Sequence, residues 1–351
     1  MSVKKTKVKS KAEIETKPVS TNISNKYVKI PLAGVIVFAL LLAASSFFAG
    51  AAWLKIKGST TTTTTSKNTF AATKTSKPEF SFFVMSFCPY GNQMEELLKP
   101  VFQLLGKSVE IKPQYIFEKV SDLANYCKQR SGDATQCAAY IKAGYFTTES
   151  ECQKTIADSS KECLNEKNYL KIGDNFYSSL HGRMEANQDV REICAYNLSD
   201  DKTNWWSFIE NVNTNCDSQN ADTCWEEQAK KANLDTAKIT ECFNKQAAEL
   251  IDKEITLTDK YKVSGSPTLI VNGINFPPES AYTEDGKGSL KIGNKVFTQD
   301  QFRSADAIKE AICASFKKAP KECKTEIKAN TANSNDDNDT AAAANSDASC
   351  N

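Results

Sequence analysis

The chain has a single histidine, no Cys-x-x-Cys pair, and no cysteine before Cys88. One imidazole among so many cysteines argues against mixed cysteine/histidine zinc sites, and the lack of paired knuckles argues against a four-cysteine zinc site. Neither charge sign dominates. The 351 residues carry 44 basic and 43 acidic side chains, net +1, and nothing points to nucleic acid. No metal or organic cofactor is implied. What is abundant is cysteine, with twelve between Cys88 and Cys350. So many cysteines with one histidine read as a disulfide framework formed in an oxidising compartment.

Charge is also missing between Lys29 and Lys55, where "IPLAGVIVFALLLAASSFFAGAAWL" stands. At 1.5 Å per residue such a run can span a bilayer core of about 30 Å. Eight lysines against Glu13 and Glu15 precede it, so residues 1–29 read as cytoplasmic, 30–54 as a transmembrane anchor, and the rest as extracytoplasmic. A cleaved signal peptide ending near Ala49-Gly50-Ala51 is the alternative, and it leaves the main domain equally outside.

Residues 55–78 are rich in Thr and Lys, without apolar periodicity, and read as a linker. Residues 325–351 are polar and Ala-rich and read as a disordered tail. Between them the pattern is strand (79–86), helix (91–105), strand (109–117), a long helical stretch, strand (268–271) with the turn signal Asn272-Gly273, a second hairpin across "SLKIGNKVF", and a last helix capped by Ser304. This is an α/β pattern: a first half-domain at 79–117, helical insertions at 118–172 and 173–258, and a second half-domain at 259–324.

The segment "FSFFVMSFCPYGNQMEE" carries the chemistry. Cys88 follows a strand and opens a helix, where unpaired N–H groups and the macrodipole favour thiolate. Pro89 suits the first helical turn, whose missing N–H is no loss. The fourth position of the motif is Gly91, so any second thiol must come from elsewhere. Far along the chain, "VSGSPTLIVNG" places Ser266-Pro267 before a strand, where a proline can only start the strand or lie at an edge.

Together, strand–Cys-Pro-Tyr-Gly–helix and Gly-Ser-Pro-Thr–strand resemble the thioredoxin-fold thiol–disulfide oxidoreductases with a helical insertion, of the lysosomal thiol reductase (GILT)-like and DsbA-like group. In "LHGRMEANQDVREIC", His181, Gly182, Glu185 and Cys194 match the lysosomal group's signature, whereas Ala186 replaces its cysteine and Asp189 its asparagine. The resemblance covers about Phe80–Phe117 and Gly173–Cys323. It implies a thioredoxin-like fold and a catalytic Cys88. It also implies a proline, Pro267, that faces Cys88 in the cis form, and substrate-binding by Pro89, Tyr90, Ser266 and Pro267. Gly91 departs from the group's Cys-x-x-Cys. A lone Cys88 forms a mixed disulfide that another thiol must resolve.

The remaining cysteines read as structural. Spacing favours Cys127–Cys163 with Cys137–Cys152 in a stapled helical hairpin, Cys216–Cys224 locally, Cys194–Cys242 across helices, and Cys313–Cys323. Other connectivities stay open. Cys350 is left over. A polar tail of 27 residues has a coil span of roughly 30 Å, so Cys350 is either a resolving thiol for Cys88 or an incidental tail cysteine. Cys88 itself reads as a free, accessible thiol, with a buried cysteine or a disulfide partner as alternatives. Trp205, Trp206 and Trp225 read as core of the insertion, and His181 as a turn residue. The expected function is thiol–disulfide exchange on secreted or surface proteins, with a small thiol or redox protein as partner. The alternatives are a non-catalytic peptide-binding module and a structural surface protein whose many disulfides only resist unfolding.

Overall fold

The computed structural model describes residues 68–327 and Cys350. The expected cytoplasmic segment, the anchor, most of the linker and most of the tail lie outside the described residues. Among the described residues, no helix is long and apolar enough to cross a membrane.

The strand β1 (Glu79–Val84) has five of its six residues buried and lies inside a four-stranded sheet of order β2-β1-β6-β7. It runs parallel to β2 (Glu110–Tyr115), with Phe82 opposite Pro113. Parallel neighbours need a crossover, and α1 (Pro89–Leu105) supplies it. On its other side β1 runs antiparallel to β6 (Thr268–Val271). The turn at Asn272-Gly273, both at positive φ, joins β6 to β7 (Ile274–Phe276). Side chains alternate across a strand. Phe82 stacks on Trp206, 6.0 Å between centroids, whereas Phe83 meets Tyr261 on the other face. Both faces of β1 are therefore covered, as its continuous apolar run requires.

Two inserted blocks separate β2 from β6. The second contains four helices, α5 (Arg183–Leu198), α6 (Lys202–Asn215), α7 (Ala221–Lys231) and α8 (Thr236–Tyr261). Trp205 and Trp206 of α6 and Trp225 of α7 are buried in the main core. Asp201 and Asp235 cap α6 and α8 by accepting backbone N–H groups. The chain closes with the hairpin β8 (Ser289–Ile292) and β9 (Lys295–Thr298), then α9 (Ala305–Ala314), N-capped by Ser304.

Three expectations change. The block expected to be helical at 118–172 holds three helices, α2 (Leu123–Arg130), α3 (Cys137–Lys142) and α4 (Glu149–Cys163), but also a three-stranded sheet. In that sheet β5 (Asn175–Ser178) pairs with both β3 (Glu118–Val120) and β4 (Leu170–Ile172), so the block extends to residue 178. Strands of three or four residues give no usable alternation, and the β4–β5 turn depends on Gly173 at φ +60. Residues 68–78, expected as the end of the linker, are held against the main domain. Thr69 bridges Lys291, Thr75 bridges Phe316, and Phe70 is buried with its ring 5.1 Å from Phe276. One aromatic in a Thr-rich run anchors that segment. Finally, Cys350, expected within a disordered tail, is buried against the main domain.

Candidate active site at Cys88

The loop Met85–Cys88 carries the chain from β1 into α1. Cys88 is the N-cap residue of α1, with Pro89 in the first turn, and its Sγ accepts the Gly91 N–H at 3.4 Å. Sulfur therefore takes the place an oxygen usually fills at a helix N-cap. Opposite lies Ser266, joined to Pro267 by a cis peptide bond at the entry to β6. The Ser266 carbonyl oxygen is 3.6 Å from Cys88 Sγ.

Cys88 is not a free, accessible thiol. It is fully buried and bonded to Cys350, with Cα atoms 6.0 Å apart. The Cys350 backbone lies along Ser266 as a one-residue antiparallel bridge. The Ser266 N–H donates to the Cys350 carbonyl at 2.9 Å, and the Cys350 N–H donates to the Ser266 carbonyl at 2.8 Å. The helix start that favours thiolate also holds the sulfur inward, beneath the residue that covers it. Of the expected site residues, the structure brings together Cys88, Ser266, Pro267 and Cys350. Pro89 and Tyr90 face solvent in the first turn of α1. The other ten cysteines form Cys127–Cys163, Cys137–Cys152, Cys194–Cys242, Cys216–Cys224 and Cys313–Cys323.

Behind the loop stands a row of carboxyls that the sequence reading did not assign. Glu185, Asp189 and Glu192 lie on one face of α5, at helical spacing, and all are buried. Asp189 Oδ1 accepts the Ser86 N–H at 2.9 Å and the Ser86 hydroxyl at 2.6 Å. Glu185 Oε1 accepts the Phe87 N–H at 2.9 Å and lies 2.8 Å from His181 Nδ1, and its Oε2 accepts the His181 N–H. Glu192 accepts the Tyr115 hydroxyl at 2.8 Å and the Gln188 amide at 3.0 Å. Glu254 of α8 accepts the Tyr115 N–H. Two of these acids hold the backbone of the residues just before Cys88, which fixes the direction of the loop.

Burial disfavours their charged forms. Asp189 is raised well above its ordinary value, by burial first and then by the neighbouring Glu185 charge. Burial lifts Glu192 to about 7 and Glu254 to about 8. Glu95 of α1, bonded to Asn213, is raised by burial and by the Glu192 charge. The hydrogen bond to Glu185 raises His181 in turn. The signal for this row was the i, i+4, i+7 spacing of acids on one helix. Its role was hidden because the partners, Ser86 and Phe87, lie about a hundred residues upstream. Among the described residues, no group of three His, Cys, Asp or Glu side chains is placed to hold a metal ion.

Oxidised Cys88 has no proton and is shielded by a chain segment. Once reduced, it would have the Gly91 N–H and the helix start to stabilise a thiolate, with Cys350 at bonding distance. A thiolate at a helix start and a second sulfur at bonding distance are the two groups that thiol–disulfide exchange requires.

Comparison with known proteins gives a family and a loose set of structural neighbours. No curated protein matches the chain. Among solved structures, it is similar to oxidized PaDsbA1 in complex with a triazol-amine compound, at 13% identity and TM-score 0.32, covering 62% of this chain and 83% of that one. It is also similar to a putative protein disulfide isomerase from Nitrosomonas europaea, at 12% identity and TM-score 0.31, covering 56% and 84%. The family model of the vacuolar sorting receptor thioredoxin-like domain matches residues 103–278. That match includes the carboxyl row and Ser266-Pro267 but begins after Cys88 and ends before Cys350. The β1–α1–β2 crossover, the antiparallel β6–β7 hairpin and the proline at the entry to β6 make the fold thioredoxin-like, and by its family match the chain belongs to the vacuolar sorting receptor thioredoxin-like domain family.

Proposed function

We propose that the protein is a membrane-anchored, extracytoplasmic thiol–disulfide exchange protein in which Cys88 reacts with substrate and Cys350 resolves the intermediate. The observation that supports this reading is the Cys88–Cys350 bond, with the Cys350 backbone paired to Ser266. In the reducing direction, Cys88 thiolate attacks a substrate disulfide. One substrate sulfur bonds to Cys88 and the other leaves as thiolate, taking a proton from solvent. Cys350 thiolate then attacks Cys88 Sγ, forming Cys88–Cys350 and releasing the second substrate thiol. The substrate gains two electrons, and a small thiol or thiol protein must reduce Cys88–Cys350 for another cycle. The reverse sequence oxidises a substrate dithiol. Substrates would be extracytoplasmic proteins that offer an extended segment to the Ser266 edge. A closer tie to the lysosomal thiol reductase group rests on Leu180–Cys194 and belongs to this proposal too.

Cys350→Ser tests the reading. The variant should accumulate Cys88-linked mixed disulfides with a disulfide-bonded test protein, seen by non-reducing electrophoresis and mass spectrometry. Absence of any adduct would contradict it. Gly91 favours a second reading, a non-catalytic module that holds an extended chain at Ser266. That reading expects peptide binding that persists in Cys88→Ser.

A further inference from the structure

Gly91 stands where a Cys-x-x-Cys site has its second thiol, and the space there is not empty. A Cβ built on Gly91 would lie 2.7 Å from Ser266 Oγ and 3.5 Å from Cys88 Cβ. Real Cβ atoms essentially never come that near another heavy atom, so a side chain at 91 would push the Ser266 hydroxyl out of its present place. Gly91 and Ser266 are thus a matched pair across the site.

The Ser266 hydroxyl is also idle. Ser266 is fully buried, and among the described residues its Oγ has no hydrogen-bond partner. A buried hydroxyl without a partner is unfavourable. The residue's backbone N–H and carbonyl are both engaged with Cys350, and the carbonyl lies 3.6 Å from Cys88 Sγ. In the disulfide, Cys88 sulfur is neutral and is a weak acceptor. Reduction changes that. A thiolate at Cys88 becomes a strong, charged acceptor, walled in by the Gly91 N–H on one side and Ser266 on the other.

We propose that the Ser266 hydroxyl, lying beside Gly91, donates a hydrogen bond to the Cys88 thiolate once the Cys88–Cys350 bond is reduced, while resolution stays with Cys350. Gly91 is then required because only a residue without a side chain leaves that hydroxyl its place. The inference rests on the reading of Cys88 as the reacting thiol. It assigns Ser266 a side-chain role distinct from the backbone pairing that serves an extended chain.

The test is the pH dependence of Cys88 alkylation, followed by mass spectrometry in the Cys350→Ser background, where Cys88 is a thiol. Loss of a hydrogen bond to a charged group corresponds to a shift of about one to two pH units. Ser266→Ala should therefore raise the alkylation midpoint by about that much and slow alkylation below the midpoint roughly tenfold or more. Ser266→Thr, which keeps the hydroxyl, should restore the lower midpoint. Gly91→Ala should raise the midpoint by displacing the hydroxyl, and adding it to Ser266→Ala should bring no further rise. If Ser266→Ala does not fold, Gly91→Ala alone carries the test. A folded Ser266→Ala with an unchanged midpoint, or Gly91→Ala unchanged where Ser266→Ala cannot be read, overturns the proposal. Failure of Cys350→Ser to capture substrate would sink the exchange reading instead, and the alkylation midpoints would still be readable.

Discussion

Five of the six disulfides join cysteines 8 to 48 residues apart, and the sixth spans 262. The short ones staple neighbouring helices or turns. Cys137–Cys152 ties α3 to α4 around a small core of Ile156, Tyr140 and Phe146. Cys194–Cys242 ties α5 to α8 inside the main core. Each limits what the unfolded chain can do. The long one brings the C-terminal end of the chain to a helix N-cap and lays it along the start of β6. One chemistry thus serves two ends. The short bonds fasten elements in both inserted blocks and after the last helix, and the long bond ties Cys350 to the sulfur at the start of α1.

The largest expected effect breaks this comparison outright. Cys88→Ser should abolish capture of substrate disulfides, whereas removing Cys137 and Cys152 together should leave capture intact, both read by mass spectrometry of trapped adducts. The paired removal should instead lower stability by about 3 kcal/mol, the value for a loop of that size, measured by denaturant unfolding with the other bonds kept. Replacing Cys194 and Cys242 by alanine should do both. It should destabilise by about 3–4 kcal/mol and also slow Cys88 alkylation in Cys350→Ser, because α5 carries the acids that hold Ser86 and Phe87.

A pH effect comes next. Glu192 keeps its proton to about 7 when folded and Glu254 to about 8, both well above the ordinary carboxyl value of 4.5. Across that window the folded protein binds more protons than the unfolded chain, so stability falls as pH rises from about 4.5 to 8. His181, raised by Glu185, acts with the same sign. Its contribution is complete below 6.5 and is lost as pH rises through its folded value. Glu192→Gln should flatten the curve by an amount on the order of 3 kcal/mol at its alkaline end, read as melting temperature against pH. A smaller effect is expected from Asp189→Ala, which strips the Ser86 N–H of its buried acceptor. It should cost about 1–3 kcal/mol and slow Cys88 alkylation in the Cys350→Ser background, measured by melting and by alkylation kinetics.

The parts of this site that could be read from the sequence are those set by neighbours in the chain. Cys88 and Pro89 after an apolar run specify a sulfur at a helix start, Asn272-Gly273 specifies the β6–β7 turn, and Ser304 specifies a cap. Cysteines at helical spacing on adjacent helices have few partners in reach, which is why the local pairs could be written down. What could not be read depends on contacts over long separations. Asp189 meets Ser86 across 103 positions, and Ser266 meets Gly91 only after β1 and β6 have paired. Phe70 showed as a lone aromatic in a polar run until Phe276 was folded against it. The strands β3, β4 and β5 are too short for their side-chain period to rise above their charged neighbours. A reading of Cys88 as accessible followed from its helix position alone, because that position says nothing about which distant segment lies over it.

The most direct test of the central claim is a stepwise reduction of the full chain in thiol–disulfide buffers, with each cysteine pair followed by differential alkylation and mass spectrometry. The account predicts that Cys88–Cys350 opens under weaker reducing conditions than Cys127–Cys163, Cys137–Cys152 and Cys194–Cys242, and closes again when the buffer is reversed. A Cys88–Cys350 bond that opens only together with those three, or after them, would mean that it is one more staple, and the exchange function would fall with it.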